Sequence, residues 1–207
     1  MKNIIAVGGQ GFLKDCIFYL SFINDVTFKG VLSDNGFVPN IDNINILGDI
    51  NNYKISDNDY FIICAGDIKL RKYLFEKIKN IGGKFYTLTH NTPINSSIEL
   101  GEGNIFVNCD LTVDIKIGNG NLFNNRVTIG HDVQIGDFNF IGPNSQFLGN
   151  SLIGDLNSIG TSTVLLPKSK IGSGNIIAPL SAVYKGCKDN KYLQGNPAQT
   201  VGNVNEE

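Results

Sequence analysis

The sequence predicts an α/β unit followed by an all-β parallel solenoid, and three observations carry that prediction. Residues 1–90 alternate short apolar runs with amphipathic stretches of helical spacing. From Ile105 to Val183 an apolar residue recurs every six positions, fourteen times in succession. The 207-residue chain also holds 24 Gly and 27 each of Asn and Ile, with only 17% charged residues. That composition fits many tight turns around an apolar core.

In the first unit, Ile4-Ile5-Ala6-Val7 reads as a buried strand, and Gly8-Gly9-Gln10-Gly11 as the turn into a helix from Phe12 to about Phe22. Val26 to Leu32 reads as a second strand ending at Ser33-Asp34-Asn35-Gly36, a strong turn signal. Tyr60 to Ala65 is a third strand. Ile68 to Ile81 is an amphipathic helix, stopped by Gly82-Gly83. Phe85-Tyr86-Thr87-Leu88 is a fourth strand, with His90 in the linker beyond it. Strands alternating with helices imply a small parallel sheet with helices packed on it.

The six-residue period matches neither a helix nor a simple strand alternation; it fits a strand-and-turn unit wound into a solenoid. Fourteen apolar residues in a row have a chance probability of roughly one in 10⁵ at this apolar content. Gly follows the apolar residue at 118, 130, 136, 142, 154, 160 and 172, and small residues such as Ser145, Ser151, Thr163 and Ser181 stand four places after it. The glycines are expected near corners, where backbone freedom helps. Residues 93–100 form a lead-in coil, with the phase slipping near Gly101-Glu102-Gly103, and the repeat ends after Lys185.

A net charge of −2 provides no field for nucleic acid or an anionic membrane. The apolar run before Gly8 is too short for a signal-peptide core, and no later run approaches a membrane span. Cys16, Cys64, Cys109 and Cys187 form no CxxC pair, so neither a zinc site nor a disulfide framework is expected, and a cytoplasmic location is. The two histidines, His90 and His131, are too few for a three-histidine zinc site. His131 follows Ile129-Gly130, which places it near a corner and facing out, with Asp132 beside it to fix its tautomer. A neutral imidazole so held is a general base for acyl transfer to an amine or hydroxyl. Gly8-Gly9-Gln10-Gly11 brings backbone amides close to a phosphate or sugar, and Asp34 stands where an acidic residue meets a nucleoside. The glycines lack a full GxGxxG, so a dinucleotide is not expected. Lys168, Lys170, Lys185, Lys188 and Lys191 are a late basic set able to meet coenzyme phosphates.

The repeat [LIV]-G-x-x-[ST]-x resembles that of left-handed β-helix proteins. Nearly the whole chain resembles the NeuD/PglD-like sugar acyltransferases, through Ile4 to Gly11, Val31 to Asn35, Ile62 to Arg71, Asn124 to Gly149, Leu165-Leu166-Pro167 and Gly195-Asn196-Pro197-Ala198. The segment Ile129-Gly130-His131-Asp132-Val133-Gln134-Ile135-Gly136 carries it most specifically. The left hand comes from this resemblance, since the usual crossover rule favours the other hand. The resemblance implies a Rossmann-like nucleotide-sugar-binding domain over residues 1–90, a left-handed β-helix acyltransferase domain over 91–190, and a C-terminal tail over 191–207. It implies His131 as general base with Asp132 as its partner, and no metal. Gly8, Gly9, Gln10, Gly11, Asp34, Gly66 and Arg71 would hold the nucleotide-sugar. Asn124, Gly149, Ala178 and Lys185 would lie along acetyl-CoA, the co-substrate, in grooves between copies of a homotrimer. Ala6, Gln10, Phe140 and Ala178-Pro179-Leu180-Ser181 depart from the family's residues, and Pro179 removes one backbone donor. The function so implied is acetyl-CoA-dependent N-acetylation of a nucleotide-linked amino sugar for bacterial surface glycans. O-acetylation of a sialic-acid-type sugar is the alternative, and a non-catalytic scaffold a third reading.

Overall fold

The computed structural model describes residues 1–9, 11–34, 36 and 39–204. The first unit comprises β1 (Lys2–Val7), α1 (Gly11–Leu20), β2 (Val26–Ser33), β3 (Ile46–Asp49), β4 (Asp59–Ile63), α2 (Ile68–Asn80) and β5 (Lys84–Phe85). The five strands form one parallel sheet in the order β3-β2-β1-β4-β5. Successive residues of β1 divide between two cores. Ile4 and Ala6 pack with Leu13, Cys16 and Leu20 of α1, while Ile5 and Val7 pack with Leu74, Phe75 and Ile78 of α2. Burial on both faces explains why β1 is a continuous apolar run rather than an alternating one. Asp67 caps α2 by accepting from the Leu70 N–H at 2.7 Å.

Three differences from expectation have local causes. Helix α1 stops at Leu20, and Phe22 lies exposed beyond it. Strand β3 has no clear sequence signal because it is a short edge strand containing Gly48, with Ile46 exposed. The expected fourth strand is split: Lys84–Phe85 closes the first sheet, whereas Leu88–His90 pairs with Ile105–Val107 as the first rung of the solenoid. His90 is therefore a strand residue rather than a linker residue, with Tyr19 and Phe22 against its ring at 4.8 and 5.3 Å.

The second unit winds through three sheets in turn, parallel except for the closing antiparallel pair of Lys191–Gly195 with Ala198–Asn203. The first face stacks Leu100, Ile117, Ile135, Ile153, Ile171 and Cys187; the second stacks Phe106, Phe123, Ile141, Ile159, Ile177 and Leu193; the third stacks Leu111, Ile129, Phe147, Leu165 and Val183. Their side chains fill one apolar core. The inward residue of the first in-phase unit is Phe106, not Ile105: Phe106 pairs with Phe123 and stacks on it at 4.6 Å. Ile105 instead faces the first unit with Leu88, Val107 and Leu122. The slip thus falls between Phe106 and Leu111, later than the Gly101–Gly103 segment. The stack also runs past Lys185, since Cys187 lies across from Ile171 and Leu193 across from Ile177 in a coil shortened by two residues.

The corner glycines have a different cause from the one expected. Left-handed backbone falls on the third residue after most inward positions, usually a non-glycine, as at Asp114, Arg126, Asp132, Asn144 and Ser162. Each costs on the order of 1 kcal/mol. The glycines immediately after the inward residue are needed for space: a Cβ on Gly118 would meet Asp137 at 2.0 Å, and one on Gly142 would meet the Thr161 nitrogen at 2.6 Å. Five of the 27 Asn form a buried ladder. Asn104, Asn121, Asn139, Asn157 and Asn175 stack in register, each Oδ1 accepting the next coil's backbone N–H at 2.8–2.9 Å, and the next Asn Nδ2 at 3.0–3.1 Å.

The first unit sits on the second face. Phe140, Leu122 and Ile105 contact its α1 side, while Phe138 and Leu156, at the neighbouring corner, contact Phe75 and Phe85. The edge between the third and first faces is therefore on the far side of the solenoid. No helix among the described residues is long and apolar enough to cross a membrane.

Candidate active site

Ile129 points into the core, and the chain turns the corner through Gly130, His131 and Asp132. Asp132 has left-handed backbone, φ +59°, as most residues at this place in the coil do. His131 Nδ1 lies 2.8 Å from Asp132 Oδ2, and both side chains are more than half exposed. A carboxylate accepts only, so Nδ1 carries the proton and Nε2 presents the lone pair.

One coil further on, Gly149 occupies the position that His131 holds, and the Asn150 N–H donates to the His131 carbonyl at 2.9 Å. The imidazole lies directly over Gly149: a Cβ there would stand 2.6 Å from Nε2 and 2.7 Å from Cε1. Following the same register, Pro167 and Lys185 complete this edge. His131, Gly149 and Lys185 are thus on one line, with about 14 Å from the first to the last over three coils. Asn124 and Ala178, one place after Phe123 and Ile177, lie along the opposite edge of the third face. The structure does not bring Asn124 or Ala178 to His131 within one chain.

The first unit gathers a second set at the carboxyl ends of β1, β2 and β4, where the strand order reverses and where such sheets bind ligands. Gly8 and Gly9 have φ of +75° and +74°, and a Cβ on Gly9 would strike the Cys64 carbonyl. With Asp34, Leu70 and Leu74 they line a cavity of about 320 Å³. Asp34 is not simply a turn residue: Lys77 of α2 holds its carboxylate at 2.5 Å, and that bond pushes the lysine pKa up. Gly11 begins α1 with open space around it. Gln10 lies outside the described residues. Gly66 lines a separate cavity of about 720 Å³, with Ile68 of α2, Phe140, Leu156 and Ile176.

Arg71 is in the core rather than on either wall. It is 1% exposed; its Nη2 donates to the Ala65 carbonyl, and its Nε and Nη1 have no hydrogen-bond partner among the described residues. Burial pushes its pKa down to about 10. Direct contact between Arg71 and a ligand is therefore corrected: helix α2 turns this position inward with Leu74, Phe75 and Ile78, where it braces the turn after β4. Sequence reasoning missed Lys77, Leu70 and Leu74. A lysine in the last turn of a helix has an ordinary explanation in the helix dipole, so nothing in the sequence singled it out.

All four cysteines are free thiols, and burial pushes Cys109 up to about 11. Among the described residues no group of three or more His, Cys, Asp or Glu is placed to hold a metal ion.

Residues 114–149 match the bacterial transferase hexapeptide family (six repeats). No curated protein matches the chain. Solved structures share its fold over nearly its whole length. The acetyltransferase domain of PglB from Neisseria gonorrhoeae is 20% identical over 97% of this chain and 100% of that one, with a TM-score of 0.85. PerB from Caulobacter crescentus, solved in complex with CoA and GDP-perosamine, is 21% identical over 98% of each chain, with a TM-score of 0.83. WeeI from Acinetobacter baumannii is 24% identical over 97% of this chain and 100% of that one, with a TM-score of 0.83.

Proposed function

We propose that this chain is an acetyl-CoA-dependent N-acetyltransferase acting on a nucleotide-linked amino sugar, in the bacterial cytoplasm and in the service of surface-glycan synthesis. The observation that carries the reading is the His131–Asp132 pair, 2.8 Å apart, laid over Gly149 on an open edge of the solenoid. Support comes from the fold shared with PerB, whose structure holds CoA and GDP-perosamine. In this reading the solenoid is left-handed and runs from the Leu88–His90 rung to the coil closed by Leu193, past both expected boundaries, and the residues before it are a Rossmann-like nucleotide-sugar domain.

The sugar amine attacks the thioester carbonyl carbon, with His131 Nε2 taking the amine proton as the C–N bond forms. Asp132 accepts from Nδ1–H and stabilises the imidazolium. The C–S bond then breaks, and the proton passes to the departing CoA thiolate. The attack is direct, so no cysteine nucleophile is used. Because the His131 edge lies across the solenoid from the Gly8–Asp34 cavity, one chain does not join them. A parallel homotrimer supplies the complement, with acetyl-CoA running between the His131–Gly149–Lys185 edge of one copy and the Asn124–Ala178 edge of another.

The test is release of CoA thiol from acetyl-CoA against UDP-, dTDP- and GDP-linked amino sugars, with sialic acid as the O-transfer arm. Turnover with an amino sugar, lost in His131→Ala, is the expected result. Turnover with sialic acid alone, or none with any acceptor, overturns the reading.

A further inference from the structure

The cavity between Gly8-Gly9 and α2 has almost wholly apolar walls, with Leu70 and Leu74 facing the two glycines. The charged residue in its lining is Asp34, which is ion-paired with Lys77; the two side chains are only 13% and 18% exposed. The Lys77 ammonium also stands 5.8 Å from the centre of the Tyr73 ring, one turn earlier on α2. The lysine is therefore held from two sides and fixes the carboxylate in one orientation at the end of β2. An isolated Asp34 would repel an anionic nucleoside diphosphate; paired with Lys77 it is neutral overall. A carboxylate has about four lone-pair positions, so it accepts from an ammonium and from sugar hydroxyls together.

We propose that Lys77 positions Asp34 to accept from the vicinal hydroxyls of a ribose, so that the pair selects a ribonucleoside diphosphate carrier over its 2′-deoxy counterpart. This rests on the reading that the cavity takes the nucleotide of a nucleotide-sugar. Lys77 is a positioning residue: it acts through Asp34, while Leu70 and Leu74 provide the apolar contact. The selected substrates are UDP- or GDP-linked amino sugars, and dTDP-linked ones bind more weakly.

The experiment is calorimetric titration of the full chain with UDP, GDP, dUDP and dGDP, for the wild type and for Lys77→Met, Lys77→Gln and Lys77→Arg. A hydrogen bond to a charged group predicts a ribose preference of about tenfold or more in the wild type. K77R keeps that preference, and K77M reduces it to about threefold or less. K77Q gives the same loss as K77M and serves if the methionine variant does not fold. Equal weakening of ribo- and deoxyribonucleotide, with the ratio kept, overturns the role of Lys77 and leaves the nucleotide site standing. No binding of any of the four to the wild type overturns the nucleotide site itself, and the Lys77 role with it.

Discussion

Gly149→Ala tests whether the imidazole's position, and not merely its presence, limits turnover. The backbone at Gly149 is outside the left-handed region, and the three atoms nearest an added methyl would all be His131's, at 2.6 Å from Nε2, 2.7 Å from Cε1 and 3.1 Å from Cδ2. Relaxed contacts between such atoms need about 3.5 Å, so the ring must retreat by about 0.9 Å. A displacement near 1 Å of a reacting group costs roughly 10²-fold. The solenoid is expected to lose little, because the atoms nearest the methyl belong to the exposed His131 side chain and not to backbone. The expected outcome is a fall in kcat of about 10- to 100-fold with an unchanged melting temperature. Direct titration with CoA separates this from a coenzyme defect. Full turnover in G149A, or a loss confined to KM for acetyl-CoA, would refute the argument that the ring must stand where it does.

Three further outcomes follow from the same geometry. His131→Ala lowers kcat by about 10²–10⁴-fold in steady-state assays and leaves CoA affinity in place. Asn139→Ala removes the acceptor for the Asn157 N–H and Nδ2, and the donor to Asn121 Oδ1; at about 1–3 kcal/mol for each buried group left unpaired, the melting temperature falls by about 5–15 °C. Asp59 is fully buried; burial alone would raise its pKa, but the Ser56 N–H, Lys29, Tyr53 and Asn3 all donate to it and hold it at about 2, below the usual 3.8. A depressed carboxylate stabilises above its unfolded value and loses that contribution as pH falls from about 4 toward 2, here on the order of 2 kcal/mol. Denaturant titrations of the wild type show that acid limb, and Asp59→Asn removes it.

The solenoid was legible because a repeat averages out local noise: each inward residue has the same environment as the one eighteen places on. Legibility failed where the coil departs from that count. Phe106 and Ile105 are both large, apolar and fully buried, so spacing alone picks the wrong one; only the neighbouring unit on the second face gives Ile105 an apolar partner outside the coil. His131 was found because it is the one histidine within the hexapeptide repeats and stands beside a carboxylate; outside such a solenoid the pair would read as a surface feature. Its packing on Gly149 was hidden, since the two touch only through a coil-to-coil register. Arg71 misled for the opposite reason: the amphipathic pattern marks α2, but no pattern says that a guanidinium sits on its buried side without a carboxylate partner.

That same register shapes the argument for a shared site. In one chain the Gly8–Asp34 cavity is on the side of the second face, and His131 is on the edge opposite. If catalysis joined them within a chain, a His131→Ala chain and an Asp34→Ala chain would each stay inactive however they were mixed. If each site takes its cavity from one copy and its base from the next, a trimer holding both kinds of chain regains intact sites. A given cavity is functional in half of the copies and the adjacent His131 in half, so co-refolding equal amounts restores about one quarter of the wild-type site density. Mixing the two folded variants without subunit exchange restores none. Recovery near one quarter after co-refolding supports the shared site; no recovery, with mixed trimers shown by native mass spectrometry, refutes it and requires each chain to bring its own cavity to its own histidine by a movement of the first unit.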